Sequence, residues 1–188
     1  MNTLRCDAAA RRELILDAAD AVFSEQGVTA PLDLVVERAG VGRATLYRNF
    51  PNRTALMAAL LARHLKMLED EAEAHADRDD ALFLLLERMA RHIAEAAPLA
   101  DFWRAVERGD AVIAEARQRI VGIFKAPMQR AIDAGLCRAD LLPTDISLLS
   151  GMLGASLRGK TTTERRALAM RALELLRRGL AVPDVVER

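Results

Sequence analysis

Apolar positions along this chain recur three and four residues apart, without sustained alternation, and that spacing predicts helices almost from end to end. Over residues 9–26 the residues Ile15, Ala18, Ala19, Val22 and Phe23 form one stripe, and Gly27 suits the left-handed position that ends a helix. A short second helix is predicted over 32–39. Pro31 lies at its first turn, and Asp33 sits where the helix dipole favours an anion. Gly40 makes a turn into a third helix, 43–49. Phe50-Pro51 closes it, because proline disfavours helical geometry in the residue before it. Asn52 can cap a fourth helix running to about His75, and the acidic turn Asp77-Arg78-Asp79-Asp80 follows. Further helices are predicted over 81–97, ahead of Pro98, and around Phe102, Trp103 and Val106 as far as Gly109. Another covers 111–134, kinked at Pro127 and stopped by Gly135. The last two run from Pro143-Thr144-Asp145 to about Arg158, and over 163–180 with Thr162 or Thr163 as cap. The expectation is an all-α chain of about nine helices.

Composition supports helix over strand: Ala and Leu supply 63 residues, Val and Ile only 18. A hydrophobic content of 52% with 29% charged residues excludes a disordered chain. The strongest apolar stretch without charge, Ile146 to Leu157, is 12 residues and too short to span a bilayer. Arg5, Asp7, Arg11 and Arg12 come too early for an apolar signal segment, so a soluble, cytoplasmic protein with no membrane partner is expected. Cys6 and Cys137 match no metal or redox spacing. A carboxylate-bridged metal bundle needs Glu-x-x-His, and none of His64, His75 and His92 has that partner. No metal and no cofactor is therefore expected.

Net charge is zero, yet it is unevenly spread. From Arg38 to Leu68 there are six basic residues and no acid, whereas Glu69 to Asp80 holds seven acids and one Arg. The basic run overlaps the two short helices around Gly40, which read as a helix-turn-helix presenting its second member to a DNA major groove.

The stretch Ala39-Gly40-Val41, Thr45-Leu46-Tyr47-Arg48 and Phe50-Pro51, with Ile15-Leu16-Asp17-Ala18-Ala19, Phe23 and Gly27 before it, closely resembles the signature of the tetracycline-repressor (TetR) family of bacterial regulators. The likeness covers about the first third of the chain. It implies a homodimer whose first three helices bind a palindromic operator, and whose C-terminal lobe binds a small molecule and carries the dimer seam. With the division placed at Phe50–Asn52, the DNA-binding domain would be 1–51 and the ligand-binding and dimerisation domain 52–188. The function implied is a repressor released from double-stranded DNA by a small-molecule effector, and not an enzyme.

Carried over residue by residue, the resemblance makes Arg43 the leading base reader, since an Arg there can bond bidentately to guanine. Ala44 is small enough to touch a thymine methyl. Thr45 and Tyr47 offer hydroxyls, and Arg48 and Asn49 suit the DNA backbone. Arg53 occupies a position that usually holds Lys and grips a phosphate, and Arg38 reaches either a phosphate or a neighbouring acid. The N-terminal Arg5, Arg11 and Arg12 form either a minor-groove arm or a solvated tail. Three departures stand out. Gly42 replaces a usual Ser, Pro31-x-x-Leu34 replaces a capping box, and Val36 replaces a usual Ala.

In the C-terminal part, the helix around 146–157 is apolar nearly all round, and the last helix aligns Leu168, Ala172, Leu173, Leu176 and Leu180. With Leu149 and Leu153 these are the expected dimer seam; an ordinary monomer core is the competing reading. Met89, His92, Phe102, Trp103, Phe124, Met128 and Met152 are candidate lining residues for an effector pocket, although Met and aromatic residues also fill cores. Gly154-Ala155-Ser156-Leu157-Arg158-Gly159-Lys160-Thr161 spells the phosphate-loop pattern G-x-x-x-x-G-K-[ST], the one hint of an enzyme. It lacks the strand that such a loop needs before it, and the bland reading is a turn between two helices. A third reading, a dimeric interaction module without specific DNA binding, draws its support from the departures at Pro31 and Gly42.

Overall fold

Pro31 and Gly40 bracket the second helix as the sequence requires. In the computed structural model, which describes residues 3–97, 99–100 and 111–181, this helix is Leu32–Ala39. Pro31 is extended (φ −56°, ψ 136°) and Gly40 is left-handed (φ 63°). The Gly40 amide donates to the Glu37 carbonyl and the Val41 amide to the Val36 carbonyl, a paired closure that satisfies the last free carbonyls. No strand occurs among the described residues.

The other elements are α1 (Thr3–Gln26), α2 (Leu32–Ala39), α3 (Arg43–Asn49), α4 (Arg53–Ala74), α5 (Ala81–Glu95), α6 (Ala111–Asp133), α7 (Ile146–Leu153) and α8 (Thr162–Leu180). The boundaries of α2 and α3 are those the sequence predicts, and Asn52 caps α4 by accepting from the Ala55 amide at 2.8 Å. Three details differ, and a fourth expectation falls outside the described residues. Helix α1 begins at Thr3, six residues before the predicted start. The single helix expected over 143–158 is three pieces: a 3-10 turn (Pro143–Asp145), α7, and a second 3-10 segment (Gly154–Arg158). Helix α8 starts at Thr162 because Thr161, one residue earlier than expected, is the cap; its hydroxyl accepts from the Glu164 amide at 3.1 Å. The short helix expected around Phe102, Trp103 and Val106 lies outside the described residues.

The chain divides into two units. One comprises residues 1–63 with 96–107, the other 64–95 with 108–188, so α4 contributes to both. In the first, Ile15, Ala19, Val22 and Phe23 of α1 are buried with Val35 of α2, Leu46 of α3, Phe50, and Leu56, Met57 and Leu60 of α4. Arg63 adds an ionic clasp from α4 to α1, lying 2.6 Å from Asp17, 3.3 Å from Asp20 and 3.8 Å from Glu13. In the second, Leu82, Leu85, Leu86, Met89 and Ala90 of α5 join Phe124 and Met128 of α6, Ile146, Leu149 and Leu153 of α7, and Ala169, Leu173 and Leu180 of α8. Arg119 of α6 pairs with Glu69 of α4 at 2.9 Å. No helix among the described residues is long and apolar enough to cross a membrane.

Candidate nucleic-acid interface

The fold of α2 and α3 turns one side of α3 inward and leaves the other free. Leu46 and Phe50 are buried, while Arg43, Ala44, Tyr47 and Arg48 are exposed. The spacing i, i+1, i+4, i+5 places those four on one face of the helix. Gly42 starts α3 in extended geometry with no side-chain cap, so the hydroxyl that a Ser would supply is missing. Thr45 and Asn49 are half-buried at the edge of the face. The Asn49 side-chain Nδ2 donates to the Thr45 carbonyl at 2.8 Å, and Arg48 Nη2 donates to Thr45 Oγ1 at 3.1 Å.

Arg38, Arg43, Arg48 and Arg53 each have an intramolecular partner. Arg43 is ion-paired with Asp33 of α2, both side chains more than half exposed. Arg38 lies 2.7 Å from Glu25, whose carboxyl is held below its ordinary value by that hydrogen bond. An ion pair this open to solvent is weak, so a phosphate can replace Glu25 on Arg38 at small cost.

Arg53 is different. Its two terminal nitrogens donate to the Val28 and Ala30 carbonyls, the latter at 2.6 Å, and its guanidinium lies 5.5 Å from the Phe23 ring centroid. The side chain expected to grip a phosphate ties the start of α4 to the α1–α2 turn. Arg12 is likewise not part of a free arm. It belongs to α1, lies 4.4 Å from the Phe50 ring centroid, and reaches the Asn49 carbonyl at 3.5 Å. Arg11 is exposed on α1. Asp33, which sequence reasoning placed only as a helix-dipole partner, turns out to hold the leading base reader.

Among the expected pocket residues, Met89, Phe124 and Met128 are buried in the second unit's core, and Met152 is 54% exposed. The His92 ring meets His64 edge-on, with centroids 4.0 Å apart. Phe102 and Trp103 lie outside the described residues. Met128, Ile132 and Leu141 line an open groove of about 740 Å³ together with Asp79, Lys125 and Arg130. No cluster of three or more metal-ligating side chains occurs among the described residues.

Of the residues expected in a dimer seam, most face the chain's own core. Leu149, Leu153, Leu173 and Leu180 are buried in the chain's own core, Ala172 and Leu176 are half-buried, and only Leu168 is exposed. The unpartnered apolar face is made instead by Leu148, Gly151, Met152 and Ala155, with Leu168 and Leu175 on α8. Periodicity could not choose between them, because α7 is apolar on both sides.

The phosphate-loop spelling also has a local explanation. Gly154–Arg158 is a 3-10 segment, not a loop after a strand. The Lys160 amide donates to the Glu164 carboxylate at 2.8 Å, and Thr161 caps α8. Gly159 passes so close to Arg165 that a Cβ there would lie 2.7 Å from the Arg165 backbone nitrogen.

Comparison with known proteins agrees with this geometry. Residues 15–60 match the family described as bacterial regulatory proteins, tetR family. The crystal structure of the TetR transcriptional regulator SCO0520 from Streptomyces coelicolor is 33% identical, covers 92% of this chain and 99% of its own, and superposes with a TM-score of 0.69. A TetR regulatory protein from Mycobacterium vanbaalenii is 27% identical over 95% of this chain and 99% of its own, with a TM-score of 0.70. The repressor KstR of Rhodococcus jostii is 34% identical over 124 residues, which are 65% of this chain and 53% of KstR. With residues 15–60 matching the family and a 33%-identical structure aligned almost from end to end, this chain belongs to the TetR family of DNA-binding transcriptional regulators.

Proposed function

We propose that the chain is a dimeric, non-catalytic repressor that reads a palindromic operator through α3 and leaves it when a small molecule binds the C-terminal unit. The observation carrying this reading is the exposed face Arg43, Ala44, Tyr47 and Arg48, set on a helix whose opposite side is buried. In this reading Arg43 contacts a base edge, Ala44 and Tyr47 line the groove, and Arg38, Thr45, Arg48 and Asn49 engage the sugar-phosphate backbone. Arg53 acts indirectly by holding α4 against the α1–α2 turn.

A palindrome calls for two-fold symmetry. The exposed apolar face of α7 and α8 suits a second copy of the chain, with small residues Gly151 and Ala155 allowing close helix approach. The repressor reading draws on KstR and on LfrR of Mycolicibacterium smegmatis, which are named as repressors. The groove beside Met128, lined by both apolar and charged side chains, suits an amphipathic effector. Such a molecule shifts operator affinity only through different affinities for the DNA-bound and free states.

The test is binding of the full chain to DNA upstream of its own gene, against a random duplex, across a salt series. The expected result is preference for the upstream DNA and a slope set by the number of phosphates contacted, about 0.9 per contact. Equal binding to both duplexes would falsify the reading.

A further inference from the structure

We propose that Asp33 is a specificity-determining residue, holding the Arg43 guanidinium so that this arginine reads a base and not the DNA backbone. The proposal rests on the reading of Arg43 as a base contact and deepens it.

Asp33 and Arg43 lie on different helices, ten residues apart in sequence, and their side chains are 54% and 68% exposed. A pair so open to solvent adds little to the stability of the fold. Arg43 also opens α3, where the helix dipole disfavours a cation, and α3 has no acid of its own in its first turn. The compensating carboxylate comes instead from the first turn of α2, where Asp33 is the only acid.

A free arginine is long and flexible, and beside a duplex its nearest anion is a phosphate. Asp33 changes both conditions. It accepts from Nη2 alone, and the guanidinium fork has five donors in a rigid plane. One hydrogen is held, and the others remain for the O6 and N7 acceptors of a guanine. The same negative charge repels phosphate, which weakens a sequence-blind contact by this arginine. Specificity is a difference between affinities, and a group that penalises the wrong partner raises it as surely as one that attracts the right partner.

The experiment selects duplexes from a random library with the full chain, comparing the wild type, Asp33→Asn, Arg43→Ala and the double variant. Both side chains are exposed, and circular dichroism checks that each variant stays helical. The wild type should enrich a motif containing a strongly preferred guanine. Asp33→Asn should lower that preference about ten-fold, within the range expected for one bidentate base contact, and bind random duplex more tightly. In the Arg43→Ala background, Asp33→Asn should change no base preference, because its effect runs through Arg43. Tighter binding by Asp33→Asn to every sequence with the guanine preference intact overturns the proposal, leaving Asp33 as a repulsive charge only. An equal loss of preference in the Arg43→Ala background overturns it as well. If the wild type enriches no motif, the DNA-reading proposal fails together with this one; an enriched motif unaffected by Asp33→Asn sinks this one alone.

Discussion

Arg53 donates to the carbonyl oxygen of Ala30 at 2.6 Å while its other terminal nitrogen reaches Val28, so this side chain joins the first turn of α4 to the segment between α1 and α2. A lysine, with one compact ammonium, cannot span both carbonyls in the same plane. Arg53→Ala should cost about 1–3 kcal/mol, the range for losing charge-assisted hydrogen bonds to partly buried acceptors. Arg53→Lys should recover only part of that loss. Urea unfolding of the three proteins checks the order, and a lysine variant as stable as the wild type would show that charge alone suffices at this position.

The register of the apolar face on α7 gives opposite expectations for neighbouring residues. Leu153 is fully buried, so Leu153→Ala should destabilise the fold by about 2–5 kcal/mol. Leu148 and Met152 are 64% and 54% exposed, and replacing both with Glu should leave a helical monomer. Sedimentation velocity reads the oligomeric state and circular dichroism the helicity. A double variant that remains dimeric would place the seam elsewhere.

These outcomes bear on how far the sequence carried. The boundaries of α2 and α3 were readable because Pro31, Gly40, Gly42 and Pro51 punctuate them, and the exposed face of α3 follows from helical spacing once Leu46 is inside. The face of α7 was not readable. Leu148, Leu149, Met152 and Leu153 are all apolar, and nothing in their order tells inside from outside. The partners of Arg12, Arg43 and Arg53 were also hidden, since Phe50, Asp33 and Ala30 come close only through tertiary packing. A basic residue announces its charge in a sequence but not which anion or carbonyl it holds.

Two glycines should respond oppositely to alanine. At Gly159 the added methyl would sit 2.7 Å from a backbone nitrogen that cannot move aside, and Gly159→Ala should cost about 1–3 kcal/mol through overpacking. At Gly122, inside α6, the space around a Cβ is open, and Gly122→Ala should stabilise by about 1 kcal/mol through helix propensity. Urea midpoints of the two variants check both signs.

Burial pushes the Cys137 thiol above its ordinary value of 9.0. The native state therefore keeps the proton to higher pH than the unfolded chain does. This residue's contribution is fully present below pH 9 and declines as pH rises toward the native value. In a Cys6→Ser protein, a thiol reagent at neutral pH should react with Cys137 only as fast as the fold opens. Prompt reaction, at the rate of a free thiol, would contradict its 2% exposure.

Lys160 and Thr161 carry the spelling of a nucleotide site, yet the Lys160 amide is already taken by Glu164, and the Thr161 hydroxyl caps the last helix. Gly159 is required by the close approach of Arg165, and Thr161 by the need to start α8. Random drift at these positions would therefore be restrained by packing and helix initiation. A mutational scan of this segment would show the intolerance usually credited to an active site, and packing at Gly159 with helix initiation at Thr161 would account for it.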